Sequence, residues 1–107
     1  MEALFKKVLG DNGDKGGIYK ITDITNEKVY VGRTTNFLTR LRQHSKRGCG
    51  IDTIKGLLYE ALMEKGLENF TFEIIEVCPK DQQPEREKYW IKFYNSNVYG
   101  YNILSGG

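Results

Sequence analysis

The sequence has few of the residues that stabilise small domains through disulfide bonds or bound metal ions. Its 107 residues include two cysteines, Cys49 and Cys78, and one histidine, His44. Two cysteines cannot build a disulfide framework, and a single histidine without a Cys-x-x-Cys pair excludes a structural zinc site. A reducing compartment, the cytoplasm of a bacterial or phage-infected cell, is therefore the expected location.

Long hydrophobic runs are also missing. No apolar stretch approaches the ~20 residues that span a bilayer, and Lys6 and Lys7 interrupt the start in a way that excludes a secretory signal. An apolar fraction of 39% with 28% charged residues is ordinary for a globular protein. We expect one domain over 1–107, with a flexible lead-in at 1–16, a core at about 17–104 and no membrane partner.

Charge is unevenly distributed along the chain. The net charge is +2, but residues 1–50 hold ten Lys/Arg against five Asp/Glu, whereas residues 51–107 hold six against nine. The segment 33–47 contains no acid, and its basic residues are Arg33, Arg40, Arg42, Lys46 and Arg47. Such a cluster is typical of a surface that faces phosphates, although a solvated helix face explains the same pattern.

The first half of the chain predicts a hairpin and a helix. The segments 18–22 and 28–32 have strand chemistry, and the turn formers between them predict an antiparallel pair. Thr34-Thr35-Asn36 then supplies an N-cap, and Gly48 is a plausible helix end.

The second half predicts two helices around one strand. A helix is expected from about Asp52 or Thr53 to Gly66, and a strand over 70–77. A third helix follows, with Asp81 as its cap, Pro84 in its first turn, and a packing face formed by Trp90, Phe93 and Tyr94. Residues 98–107 are expected to be irregular. The order ββααβα predicts an α+β domain with a small three-stranded antiparallel sheet flanked by helices.

Three groups of side chains could carry chemistry. Tyr19 and Tyr30 can share one face of the hairpin, where they either act on a substrate or simply pack. Arg40 and His44 lie one helical turn apart and can bind phosphate oxygens, although a lone histidine is often structural. Glu87 can ligate a hard divalent metal or merely face the positive end of its helix. Together they suit phosphodiester cleavage.

These residues resemble the motifs of the GIY-YIG nuclease family. The two name-giving motifs correspond to Gly17-Ile18-Tyr19 and Tyr30-Val31-Gly32, with valine in place of the second isoleucine. The similarity continues through the ordered positions Gly32, Asn36, Arg40, His44, Glu87 and Asn102. It spans about residues 17–104 and is greatest to the catalytic domains of phage intron-encoded homing endonucleases and their free-standing relatives.

The resemblance implies a DNA endonuclease that uses one divalent metal ion, Mg²⁺ or Mn²⁺. It implies that Glu87 binds the metal, that Arg40 stabilises the pentacovalent phosphate, and that Tyr19 and Tyr30 position and deprotonate water. His44 would assist at the phosphate or the water, and Arg33 would contact phosphate. The resemblance also assigns supporting roles at the site to Gly32, Asn36 and Asn102.

Two other functions remain open from the sequence. One is a nucleic-acid-binding module that keeps the fold without cleaving, and the other is a structural hairpin domain with a coincidental motif. The second would require the basic stripe of the predicted helix and Glu87 to point away from the tyrosine pair. Relatives in the family usually add a DNA-binding domain, so specificity is expected to come from a separate domain or a partner protein.

Overall fold

The computed structural model describes residue 7, residues 9–48 and residues 57–102, with all side chains in these ranges except those at 44–48, 57, 59 and 67. The strands are β1 (Gly17–Asp23), β2 (Val29–Thr34) and β3 (Phe70–Val77), and the helices are α1 (Phe37–Gly48), α2 (Leu57–Lys65), α3 (Gln83–Tyr94) and the short α4 (Ser96–Tyr99). Short 3-10 turns precede β3 and α3. None of the helices in these ranges is long and apolar enough to cross a membrane.

The three strands form one antiparallel sheet in the order β2-β1-β3. The predicted α+β fold and the order ββααβα are confirmed, with α4 as an addition where an irregular tail was expected. β1 is the central strand, and its Ile18 and Tyr19 are both fully buried although they point to opposite faces. The sheet is therefore covered on both sides.

Each face of the sheet has its own hydrophobic core. On one face, Tyr19 and Ile21 pack with Phe37 and Leu41 of α1 and with Leu62 of α2. On the other face, Ile18 and Val31 pack with Ile91 of α3. Because α1 and α3 lie on opposite faces, groups from both can meet only at an edge of the sheet.

The segment before β1 also contributes to the first core. Leu9 is only 4% exposed and packs in that cluster. The carbonyls of Lys15 and Gly13 accept hydrogen bonds from the Phe37 and Leu38 amides at 3.0 and 2.9 Å. The described part of the expected lead-in thus holds the start of α1 in place.

The start of α1 and the end of α2 lie where the sequence predicts them. Asn36 accepts a hydrogen bond from the Thr39 amide at 2.9 Å, which confirms the predicted N-cap of α1. Gly66 ends α2 in a left-handed conformation with φ +86°. The expected start of α2 near Asp52 or Thr53 lies outside the described residues.

Two expectations about α3 were wrong. Asp81 does not cap the helix, since it lies in a 3-10 turn at Lys80–Gln82 and Gln82 holds the cap position. The buried face consists of Gln83, Glu87 and Ile91, while Phe93 is 61% exposed. Of the three predicted packing residues, Trp90 and Tyr94 are half-buried and pack against the second core as predicted, so only Phe93 was wrongly placed. Pro84 does lie in the first turn, as predicted.

A buried carboxylate ties the far end of β1 to α2 and to the C-terminal segment. Asp23 is fully buried, and its Oδ2 lies 2.6 Å from both Lys65 Nζ and the Tyr101 hydroxyl. Its Oδ1 accepts from the Thr25 amide and hydroxyl. Burial alone would raise the pKa of Asp23, but hydrogen bonds from Lys65, Thr25 and Tyr101 outweigh it and lower the pKa below the usual range.

We predict that Asp23→Asn lowers the free energy of unfolding by about 2–3 kcal/mol at pH 7, because charge-assisted hydrogen bonds are lost. A depressed folded-state pKa stabilises the protein above the unfolded value of roughly 4, and this contribution is lost as the pH falls below that value. Urea unfolding at pH 7 and pH 3 should therefore show the difference between the variant and the natural sequence shrinking in acid. An equal difference at both pH values would contradict an ionised Asp23.

Candidate active site at the edge of the sheet

Gly32 allows the Tyr19 ring to reach the open edge of the sheet. Tyr19 on the central strand pairs in register with Gly32 on edge strand β2. A Cβ added at Gly32 would lie under 3.0 Å from the Cζ and Oη atoms of Tyr19. The ring therefore lies directly over the glycine backbone, and only a residue without a side chain fits beneath it.

The two motif tyrosines share one face, as predicted from strand alternation. Tyr30 lies diagonally from Tyr19 in the β1–β2 register, and their ring centroids are 6.3 Å apart. Phe72 of β3 stacks on the other side of Tyr19 at 4.9 Å. Tyr19 is fully buried whereas Tyr30 is half-buried, so the pair joins the core to the surface.

Arg40 of α1 acts directly on Tyr19. Burial is the largest influence on the pKa of Tyr19 and raises it far above the usual value, and the neighbouring Tyr30 and Glu87 raise it further. The charge of Arg40 and its hydrogen bond to the Tyr19 side chain act in the opposite sense. The Tyr19 hydroxyl is thus protonated at neutral pH, and Arg40 is the group that favours its phenolate.

Glu87 approaches the same edge from the opposite face of the sheet. It lies on the buried side of α3 and is only 3% exposed. Within the described part of the chain, its Oε1 atom is buried and has no hydrogen-bond partner. Burial raises the pKa of Glu87, and the charges of Arg33 and Arg40 oppose this rise. A solvated helix-dipole partner would not be buried in this way.

Arg33 connects Glu87 to a surface cleft. Its Nε lies 3.9 Å from Glu87 Oε1, an ion pair too long for a hydrogen bond. The cleft has a volume of about 260 Å³. It is lined by residues from the end of β2, from α1, and from the turn that leads into α3: Arg33, Thr34, Thr35, Arg40, Lys80, Gln83 and Pro84. The charges of Arg40 and Glu87 both act on Tyr19, which argues against a coincidental motif.

Asn102 and Asn36 are structural supports. Asn102 Oδ1 accepts from the Val31 amide and its Nδ2 donates to the Val31 carbonyl, both at 2.8 Å. The side chain thereby satisfies the outer edge of β2 between Tyr30 and Gly32, as a further strand would. Asn36 caps α1, so it orients Arg40 one turn later.

The remaining predicted residues lie outside this cluster or outside the description. Arg42 is exposed on α1 and does not line the cleft. His44, Lys46 and Arg47 lie on α1, but their side chains are outside the described residues. Sequence reasoning missed Lys80 and Gln83, since a lysine in a polar loop and a glutamine at a helix start carry no distinguishing signal.

We predict that Gly32→Ala displaces Tyr19 and lowers the free energy of unfolding by about 1–3 kcal/mol, because the methyl group overlaps the ring. Gly13→Ala is the matched control. Gly13 has helical angles of φ −58° and ψ −31°, and its added Cβ would make ordinary contacts of 3.6 Å or more. Urea unfolding of both variants checks the prediction, and equal stabilities would contradict the close contact.

Comparison with known proteins agrees with this geometry. The family model for the GIY-YIG catalytic domain matches residues 15–102. Intron-associated endonuclease 1 of Enterobacteria phage T4 is 38% identical over 94 residues, which cover 83% of this chain and 37% of that protein. The chain therefore corresponds to little more than a third of that relative's length.

Solved structures show the same similarity. A mutant of the catalytic domain of intron endonuclease I-TevI is 35% identical with a TM-score of 0.76, covering 87% of this chain and 97% of that one. The catalytic domain of homing endonuclease I-TevI is 36% identical with a TM-score of 0.70, covering 84% and 99%. With its motif tyrosines, Arg40 and Glu87 gathered at one sheet edge, this chain belongs to the GIY-YIG catalytic domain family.

Proposed function

We propose that this chain is the catalytic domain of a metal-dependent DNA endonuclease that hydrolyses phosphodiester bonds. The proposal is supported by membership of the GIY-YIG family and by relatives named as endonucleases. It places the activity in the cytoplasm of a bacterial or phage-infected cell, in keeping with the phage relative.

The observation that carries the proposal is the unpartnered oxygen of Glu87. Buried carboxylate oxygens are normally hydrogen-bonded, because burying one without a partner is costly. Glu87 Oε1 lacks such a partner among the described residues, yet it lies beside the Tyr19 and Arg40 pair. A ligand that binds this oxygen during function accounts for an arrangement that stability alone does not favour.

The residues present fit one hard divalent cation. A carboxylate oxygen suits Mg²⁺ or Mn²⁺, and Glu87 would hold the ion. The described residues contain no cluster of three or more His, Cys, Asp or Glu side chains that could hold a metal ion. Water and substrate phosphate would therefore complete the shell, as is usual for Mg²⁺. When bound, such an ion polarises a phosphate oxygen.

Arg40 is assigned to the developing negative charge on the scissile phosphate. Its guanidinium is held against Tyr19, and α1 is fixed at its start by the Asn36 cap. A donor that is already in place costs no reorganisation when charge develops in the transition state. The planar guanidinium can also donate to two phosphate oxygens at once.

Tyr19 and Tyr30 are assigned to the attacking water: both position it, and whichever of the two is present as the phenolate accepts its proton. Because burial holds Tyr19 protonated, a phenolate forms there only with the support of Arg40. Tyr30 is more exposed and lies toward the surface side of the pair. His44 lies one turn after Arg40 on α1 and is assigned an assisting role at the phosphate or the water.

DNA is the proposed partner, bound by phosphate contacts. Arg33 lines the cleft, and Arg42, Lys46 and Arg47 extend the basic segment along α1. Contacts of this kind carry affinity without sequence information. A separate DNA-binding domain or a partner protein is proposed to supply specificity, in keeping with the greater length of the T4 relative.

One test of the proposed function concerns Glu87. We expect Glu87→Gln to abolish nicking of supercoiled plasmid in Mg²⁺ or Mn²⁺ while DNA affinity stays within about twofold, because only the metal ligand is lost. Glu85→Gln is the matched control, since Glu85 lies exposed on the same helix and loses the same charge. Normal cleavage by Glu87→Gln would exclude the metal role. If the natural sequence binds DNA but cuts with neither metal, the chain is instead a non-cleaving binding module.

Another test separates the planar geometry of the Arg40 guanidinium from its positive charge. We expect Arg40→Lys to slow single-turnover cleavage by about 10²-fold, with little change in affinity, because lysine keeps the charge but loses the planar donor pair. Arg86→Lys is the control: Arg86 Nε donates to Glu76 at 2.9 Å, a structural pair between α3 and β3. Its cleavage rate per folded molecule should be unchanged. Equal losses in both variants would argue against a transition-state role for Arg40.

A further inference from the structure

We infer that Lys80 and Arg33 bind a second backbone phosphate of the DNA, adjacent to the scissile one, and that this contact positions the strand without taking part in the chemistry. The inference rests on the proposed function, and it assigns a role to a residue outside the basic segment 33–47. The two cations line the same cleft, and Arg33 also forms an ion pair with Glu87 at 3.9 Å.

The turn that carries Lys80 is held rigidly. The Gln82 amide donates to the Pro79 carbonyl at 3.0 Å, and the Gln83 amide donates to the Lys80 carbonyl. The Gln83 side chain is buried and donates to the Cys78 carbonyl at 3.3 Å. The backbone of Lys80 is thus fixed in the lining of the cleft, whereas a mobile surface loop would not place a cation reproducibly.

The lining of the cleft is positively charged, and the long Arg33–Glu87 ion pair only partly offsets this charge. Arg33, Arg40 and Lys80 line the cleft, and no carboxylate does. In the described ranges, Lys80 has no ion pair. Arg33 is 43% exposed, and its nearest carboxylate oxygen is 3.9 Å away, so its donors can serve a ligand. Three like charges around one cleft oppose folding, and an anion bound between them removes that repulsion.

The geometry favours two phosphates over one. Arg40 and Glu87 both act on Tyr19, so the reacting phosphate belongs beside them. Lys80 lines the cleft from the turn that leads into α3. The cleft volume of about 260 Å³ is many times the ~10–15 Å³ that holds one water molecule, so the cleft has room for more than one bound group. Successive phosphates of one strand can therefore lie in the same cleft.

The test is a salt titration of DNA binding without divalent metal, so that affinity is measured whether or not the protein cleaves. We expect Lys80→Gln to reduce the magnitude of the slope of log K against log[salt] by about 0.9, and to weaken binding by about eightfold at 0.1 M salt. Lys80→Arg should keep the slope of the natural sequence. Lys92→Gln is the control with the same charge change, because Lys92 is exposed farther along α3 and does not line the cleft.

Single-turnover cleavage at saturating DNA shows whether Lys80 only holds the strand or also takes part in the chemistry. Lys80→Gln should cleave at the rate of the natural sequence once DNA saturates it. An unchanged salt slope, a slope change equal to that of Lys92→Gln, or a rate loss at saturation would each overturn the inference. If the natural sequence fails to cleave but Lys80→Gln still loses one unit of slope, the phosphate contact stands and the proposed function fails.

Discussion

The close approach of the Tyr19 ring to the Gly32 backbone is the contact on which the site depends. A central strand normally keeps its side chains away from the sheet edge, because its neighbours' side chains intervene. Here the edge strand offers no side chain at position 32, so the hydroxyl end of Tyr19 lies over the backbone of β2. Arg40 from one face and Glu87 from the other can then act on the same hydroxyl. Asn102 supports this arrangement by satisfying the outer edge of β2 at the adjacent Val31.

Two carboxylates are buried in the described part of this domain, with opposite consequences. Asp23 is fully buried but accepts four hydrogen bonds from Thr25, Lys65 and Tyr101, so its charge joins β1, α2 and the C-terminal segment. Glu87 is almost as deeply buried, yet its Oε1 atom lacks a hydrogen-bond partner in the described structure. The first arrangement satisfies the carboxylate within the fold, whereas the second leaves an oxygen open to the proposed metal ion. This contrast distinguishes a structural carboxylate from a functional one more clearly than sequence position does.

The two hydrophobic cores explain how a small domain holds such a site. Each core anchors one helix against one face of the sheet, α1 through Phe37 and α3 through Ile91, both fully buried. The functional groups on these helices therefore belong to rigid elements. The cleft between the end of β2 and the start of α3 lies where the two layers meet, and charges from both contribute to it.

The sequence alone determined the element order, the shared face of Tyr19 and Tyr30, the cap at Asn36 and the family, because these depend on local spacing along the chain. Tertiary structure decided the rest. The packing face predicted for α3 wrongly included Phe93 and omitted Glu87 and Ile91, since burial depends on which side of the helix meets the sheet. The Asp23 network joins Asp23 to Lys65 and to Tyr101, which are 42 and 78 positions away along the chain, and no local pattern records such a pairing. Lys80 likewise joins the cleft only through the fold, which brings a lysine from the acidic half of the chain to the same cleft as Arg33.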